Sequence, residues 1–580
     1  MLQTLIQVKL IAMAAALGLN TDEWKSPSSD MTSQVQALQD TMKLIGTKDA
    51  DKVGTNLQES ISKIKDLADK GDKDAQYAIA FFIQNGLLQS QNAVPLVFDY
   101  YTKAAAQGQV PAKNALGFLK ISQANQLPEK DRTEVWKSGV QLIQEASSSG
   151  YNPARRNMAE LELTGQAGVK QDLDSAHKLL EDAAKAGDNQ AEFELFRYFH
   201  GRAGKDKVNE AMAQKWLEAS ADHGNAQGLD TLGTAMLTGA KVGALDIKKD
   251  EAGAVQKFKK LADENNPIGL RKMALIELAG LAGQPKDYAK GVEDLQKAAR
   301  GNDGEAQFRL AGLYDQGWAP EGKGVVPQND AAALNLYKLA MQNSIAMAAY
   351  NVGVFYEQGR SVDKDPTKAF AYYLQAAGNN FVPAMLKAGL AYSNGAGTMK
   401  DLIAAAGWFQ RSGALGLAEG SLALGMMLEQ GAGPLEKEQN RYVQAGYAYT
   451  QAAENPNASD GVVAEALVRL GGLDFSGATT ISPQTPSPQP DYVKAYACFQ
   501  QAADLAPKSD LAKQLLDRAK EKLSSEQLTR AKAQADAAKE SRDARRKKAQ
   551  ADANATPTAA PDSAPPAPTT GAPKTPKKTR

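Results

Sequence analysis

Four side chains in the 580-residue sequence belong to the types most used as soft nucleophiles or transition-metal ligands: Cys498, His177, His200 and His223. No two histidines stand four residues apart and no His-Glu-x-x-His occurs, so a helix-borne zinc site has no ligand set. One cysteine makes neither an intramolecular disulfide framework nor a cysteine-based zinc site. The stretch GRAGKD, Gly201–Asp206, has the glycines and lysine of a phosphate loop. It lacks the G-x-x-x-x-G-K-[ST] spacing and puts Asp206 where a hydroxyl is needed, so it reads as an inter-helix turn. No Ser-His-acid set can be nominated. No catalytic, cofactor-binding or metal-binding residue is therefore expected, no cofactor is expected, and the chain reads as a non-enzyme.

The other chemistry-bearing feature is charge. The whole chain balances, with 67 basic and 67 acidic residues, which argues against a general affinity for nucleic acid or membranes. Residues 539–580 carry ten basic and four acidic residues, so this end is near +6 and the remainder near −6. Arg545, Arg546, Lys547 and Lys548 are its densest cluster, suited to phosphates of nucleic acid or of lipid headgroups. No aromatic is interleaved for base stacking, and a solubilising tail is the plainer reading.

The elements that position these residues follow from an internal repeat. Phrases such as KAAAQG, EDAAKAG, QKAARGN and QAAGNN recur, and their last positions fall at 71, 108, 150, 187, 224, 265, 302, 343, 380, 416, 456 and 506. Seven residues before each stands a bulky apolar or aromatic side chain: Ile64, Tyr101, Ile143, Leu180, Leu217, Phe258, Leu295, Leu336, Tyr373, Phe409, Tyr449 and Phe499. Three before each stands Ala, Ser or Gly. Those offsets share one face of a helix, here called B. A second helix, A, follows each mark. In DAQYAIAFFIQNG, Ala75, Ile79, Phe82 and Ile83 share a face, with Ala80 beside them. The column of Ala80 holds Gly117, Ala159, Gly233, Ala274, Ala311, Gly353, Gly389, Gly425 and Gly471, with Phe196 the exception. Glycine inside a helix costs about 1 kcal/mol against alanine, so its recurrence predicts close A–B packing. Gly86, Gly165, Gly239, Gly317, Gly359, Gly395 and Gly431 are expected to end helix A in the left-handed conformation. Cys498 precedes the knob Phe499 in a column that also holds Tyr100, Trp216, Tyr372 and Trp408, so it is expected to be a packing thiol.

At AQFRLAGLYDQG (Ala306–Gly317), AYNVGVFYEQG (Ala349–Gly359), EGSLALGMMLEQG (Glu419–Gly431) and YYTKAAAQG (Tyr100–Gly108) the chain resembles the Sel1-like repeat family, relatives of the tetratricopeptide repeats. The resemblance implies an all-α fold: an α/α superhelical solenoid of about eleven helix-turn-helix repeats with a concave groove. It implies scaffold or adaptor work, with another protein or peptide as partner. The cysteine-rich, penicillin-binding members of the family are not a guide, because their cysteines are missing here.

The expected organisation has an apolar N-terminal segment over 1–22, a lead-in over 23–60 and the repeats over 61–506. A Pro-rich insertion at 479–490 interrupts the last repeat. A capping and charged helix over 507–553 follows, then a Pro/Ala/Thr/Lys tail over 554–580 whose composition predicts disorder. In the capping segment Leu511, Leu515, Leu516, Leu523 and Leu528 are expected to cover the last repeat, and the alanine- and charge-rich stretch beyond is expected to project as a solvated helix. The run Leu10–Leu19 after Lys9 fits the apolar region of a signal peptide and is too short for a membrane span. The alternative is a short hydrophobic helix of a cytoplasmic protein, so a periplasmic or secreted location is placed first and a cytoplasmic one second. Two functions stay open: binding a protein or peptide in the groove, or binding nucleic acid or an anionic surface through the basic tail with the repeats as spacer.

Overall fold

The computed structural model describes residues 28–43, 52–86, 88–239, 241–242, 245–320, 325–431, 441–478 and 489–555. The apolar segment over 1–22, nearly all of the Pro-rich insertion and the tail beyond 555 lie outside them. The chain divides into two compact units, Met1–Met273 and Ala274–Arg580.

The first unit opens with α1 (Ser29–Lys43) and α2 (Val53–Asp69). A/B pairs follow: α3 (Lys73–Gln84) with α4 (Ala93–Ala106), α5 (Val110–Ala124) with α6 (Glu129–Ser148), and α7 (Asn152–Thr164) with α8 (Leu173–Lys185). Then come α9 (Asn189–Arg197) with α10 (Glu210–Asp222) and α11 (Ala226–Thr238) with α12 (Glu251–Asp263). The division falls inside α13 (Pro267–Ala279).

The second unit continues with α14 (Tyr288–Arg300), then α15 (Gly304–Gln316) with α16 (Asp330–Gln342) and α17 (Ala346–Gln358) with α18 (Pro366–Gly378). It goes on with α19 (Val382–Asn394) and α20 (Leu402–Ala414), α21 (Ala418–Glu429) and α22 (Arg441–Glu454), and α23 (Asp460–Ser476) and α24 (Tyr492–Leu505). The chain closes with α25 (Asp510–Lys520) and the long α26 (Ser525–Ala555). Within each pair A packs on B, and within each unit successive pairs stack, which is the repeat solenoid expected from the sequence.

Local chemistry sets the helix ends. Most B helices start at an Asp or Asn whose side chain accepts the backbone N–H three residues on: Asp172, Asn209, Asp250, Asp287, Asn329, Asp365, Asp401 and Asp491. Such a cap contributes about 1 kcal/mol over alanine. At the other end of helix A, Gly359 (φ 72°, ψ 35°) is left-handed as expected. Gly317 differs: φ is 70° but ψ is 132°, so the chain leaves the helix extended, and Trp318 then bridges to Val326.

The core is the A–B seam. Tyr101, Leu180, Leu217, Phe258, Leu295, Phe409, Tyr449 and Phe499 are all buried there. One register is corrected. Tyr337, not Leu336, is the fully buried knob of α16, and Leu336 is only partly buried. The turn closes one residue later than the phrase suggests, at Ser344, which takes the positive φ of 64° that most of the other turns give to Gly or Asn. The glycine column faces the knobs. A methyl group added at Gly389 would lie 2.6 Å from the Phe409 ring, at Gly353 2.7 Å from Tyr373, and at Gly471 2.7 Å from Phe499. At the exceptional Phe196, α9 is short and passes into a π-helical turn, Tyr198–Arg202, with Gly201 at φ 117°.

The C-terminal end departs from expectation twice. Leu511 is exposed, whereas Leu515, Leu516, Leu523 and Leu528 pack around Tyr496 and Phe499. The charged helix α26 does not project into solvent; it packs on α24 through Ala531, Ala535 and Arg542, all buried.

Candidate interaction surface

The tyrosine knobs carry a polar tip that must be satisfied when the ring is buried. Each finds an acceptor in the last turn of its own A helix. Tyr101 donates to Gln84 at 2.8 Å, Tyr337 to Asp315 at 3.2 Å, Tyr373 to Glu357 at 2.7 Å, and Tyr449 to Glu429. A base from the following repeat then reaches three of these acids. Arg360 donates to Asp315 at 2.6 Å and bidentately to Asp330 at 2.6 and 3.1 Å. Lys387 reaches Glu357 at 2.8 Å and Arg469 reaches Glu429 at 3.3 Å. Burial first, and the adjacent carboxylates second, push Tyr337, Tyr373 and Tyr449 well above the usual phenol range. These hydroxyls are therefore fixed donors. The triads lock one repeat to the next.

The other singled-out residues sit apart. His177 stacks on Tyr198 and meets Phe199 edge-on, and His200 stacks on Phe196. His223 Nδ1 lies 2.8 and 2.9 Å from the two oxygens of the buried Glu192. Cys498 is buried, and burial pushes its thiol up to about 12. Among the described residues no group of three His, Cys, Asp or Glu side chains could hold a metal ion. In the GRAGKD stretch, Arg202 bonds Glu160 at 2.5 Å and Glu194 at 2.7 Å, and a 3-10 turn over Lys205–Lys207 leads out. It is an inter-helix turn.

The basic cluster is split by the docking of α26. Arg546 donates to Asp460 at 2.8 Å and to the Ala458 carbonyl at 3.0 Å, and Arg545 lies 3.9 Å from Glu454. Lys547 and Lys548 are exposed. Arg542, which composition alone would put in solvent, is buried and donates to Gln501 at 2.8 Å.

Exposed apolar side chains are the remaining candidates. Met399 before α20, Ile403 in its first turn and Tyr447 in α22 are 87%, 68% and 70% exposed, in a unit whose other large apolar side chains are mostly buried or partly buried; Leu415, between them, is 53% exposed. Phe118 and Leu390 directly follow the packed Gly117 and Gly389 and are also exposed. Aromatic and thioether groups so placed can be desolvated by a protein surface. Repeat columns could not reveal them, because columns record core positions. No described helix is long and apolar enough to cross a membrane.

A family described as Sel1 repeat matches residues 73–109, 152–188, 189–225, 267–303, 304–343, 346–381, 382–417, 418–457 and 464–507. The intervals between the first two and around α11–α12 hold A/B pairs of the same kind. Chitin synthase regulatory factor 3 of Schizosaccharomyces pombe is 31% identical over 116 residues, which is 20% of this chain and 12% of that protein. A protective antigen of uropathogenic Escherichia coli strains is similar in structure at TM-score 0.48 and 23% identity, covering 85% of this chain and 97% of that one. A Sel1 repeat protein from Oxalobacter formigenes has TM-score 0.37 and 21% identity, covering 62% and 93%. With nine matched repeats over more than half of its length, each on a helix pair of the stack, the chain belongs to the Sel1 repeat family.

Proposed function

We propose that the protein is a non-enzymatic scaffold that binds a partner protein or peptide through exposed side chains of its repeats. Sel1 repeats generally serve as protein-interaction modules and are generally non-catalytic. The observation that carries the reading is the set Met399, Ile403 and Tyr447, the most exposed large apolar side chains described in their unit. They lie within two consecutive repeats, so they can serve one partner as anchors. The groove implied by the resemblance is one place for a ligand, and these residues define a specific surface to test. Replacing the three by serine is expected to weaken partner binding by more than about tenfold while helicity is kept. Retention of every partner by that variant would refute this surface.

The reading of the basic tail as a phosphate binder keeps less support, because Arg545 and Arg546 face acceptors of the chain itself. A periplasmic or secreted location remains our first proposal, on the apolar run Leu10–Leu19. Comparing the mass of the protein from its native cells with that of the full sequence tests it. Loss of the first ~20 residues supports export, and an intact start contradicts it.

A further inference from the structure

We propose that α26 is a detachable strap, whose arginine stripe is held by acceptors of the last two repeats and is released when a phosphate-bearing polyanion competes for the same arginines. The strap is asymmetric along its length. Its root is apolar: Leu528 and Ala531 pack in one cluster with Tyr496 and Phe499, and Ala535 is buried one turn further on. Its outer part is polar: Arg542 donates to Gln501, Arg545 approaches Glu454, and Arg546 donates to Asp460 and the Ala458 carbonyl. Residues 528, 531, 535, 542 and 546 follow the three–four spacing of a single helix face, so all five dock together. Beyond Leu528 the sequence has no Val, Ile, Leu, Met, Phe, Tyr or Trp, so burial of large apolar side chains cannot hold the outer part.

Two further features favour release. A cleft of about 380 Å³ remains beneath the strap, lined by Pro456, Asn457, Asp460, Arg546, Ala549 and Gln550. On the same helix Lys547 and Lys548 stand in solvent, so an arriving polyanion meets two cations before it displaces the held arginines. Contacts between partly exposed charges such as Arg546–Asp460 weaken as salt shortens the screening length. Closed, the strap covers the outer side of α24 and withholds three arginines from external anions.

The test uses the full chain and backbone hydrogen exchange, with α19 as internal reference. Raising NaCl from about 50 to about 500 mM is expected to speed exchange over residues 540–553 by about tenfold and to leave α19 unchanged. Glu454→Gln with Asp460→Asn is expected to give the fast exchange already at low salt, and long-chain inorganic polyphosphate to do the same to the unaltered protein. That pair should also bind polyphosphate several-fold more tightly than Glu521→Gln with Glu526→Gln, which removes the same charge near the strap's root. Exchange that ignores salt, polyphosphate and the Glu454/Asp460 pair would overturn the proposal and make α26 a permanent cap. Equal polyphosphate affinity of the two pairs would overturn the masking of the arginines.

Discussion

The Tyr373 hydroxyl donates to Glu357 Oε2 at 2.7 Å, and Lys387 Nζ from the next repeat reaches the same oxygen at 2.8 Å. One carboxylate thus ties the knob of its own repeat to helix A of the following one. Tyr373→Phe removes one hydrogen bond and leaves the ion pair, so a loss of about 1 kcal/mol is expected. Glu357→Ala strands both donors and is expected to cost about 2 kcal/mol, held down by the partial exposure of the pair. Urea unfolding midpoints check both, and a neutral Glu357→Ala would show that the triad contributes nothing to the stack.

The same network predicts acid sensitivity. Hydrogen bonds from Arg360 lower the Asp330 carboxyl below its ordinary 3.8. Burial works against the Glu357 charge, yet the bonds from Lys387 and Tyr373 outweigh it and leave that group below its ordinary 4.5. Both groups are more acidic folded than unfolded, so the unfolded chain binds their protons first. Their stabilisation is present above those ordinary values and is lost as the pH falls below them through the folded values. Unfolding measured from pH 6 down to about pH 3 is expected to show a shallower acid-side loss in Arg360→Met than in the unaltered chain. Identical slopes would contradict the linkage.

Gly389 and Phe409 test the seam itself. Alanine at Gly389 gains helix propensity of about 1 kcal/mol, but its methyl would stand 2.6 Å from the Phe409 ring. The clash should win, with a net destabilisation of about 1–3 kcal/mol. Phe409→Leu in the same chain should recover part of that loss, and a double-mutant cycle measures the coupling. A stabilising Gly389→Ala would show that the ring relaxes freely.

Cys498 should be chemically silent in the folded chain, since its thiol is buried and pushed up to about 12. A disulfide reagent at pH 8 is expected to label it about a hundredfold more slowly in buffer than in denaturant. Equal rates would mean that the last repeat opens readily.

Much of the fold was legible because each repeat writes the same packing problem. Phe258, Phe409 and Phe499 announce bulk, and Gly233, Gly389 and Gly471 announce the space that receives it. The slip at Leu336 and Tyr337 arose where two apolar residues adjoin and the turn lengthens by one, so a phrase-based mark cannot choose between them. The partners of the tyrosine hydroxyls had a signal: an acid or amide near the end of helix A accompanies each tyrosine knob, as Glu357 accompanies Tyr373. The docking of α26 had a weaker one. Alanines and arginines at three–four spacing look solvated by composition, and the partners of that face, Tyr496, Phe499, Gln501 and Asp460 among them, lie far back in the chain. Met399, Ile403 and Tyr447 left no periodic trace, because positions outside the packed seam are free of the repeat's constraint.

The most direct measurement of the scaffold reading is a quantitative pull-down of the tagged full-length protein from its native cells after nuclease treatment. It is run beside the Met399→Ser/Ile403→Ser/Tyr447→Ser variant matched for helicity and unfolding midpoint. The account predicts one or a few stoichiometric protein partners on the unaltered chain and their loss by more than about tenfold on the variant. The same partners at the same level on both chains, or partners that vanish with nuclease alone, would contradict it.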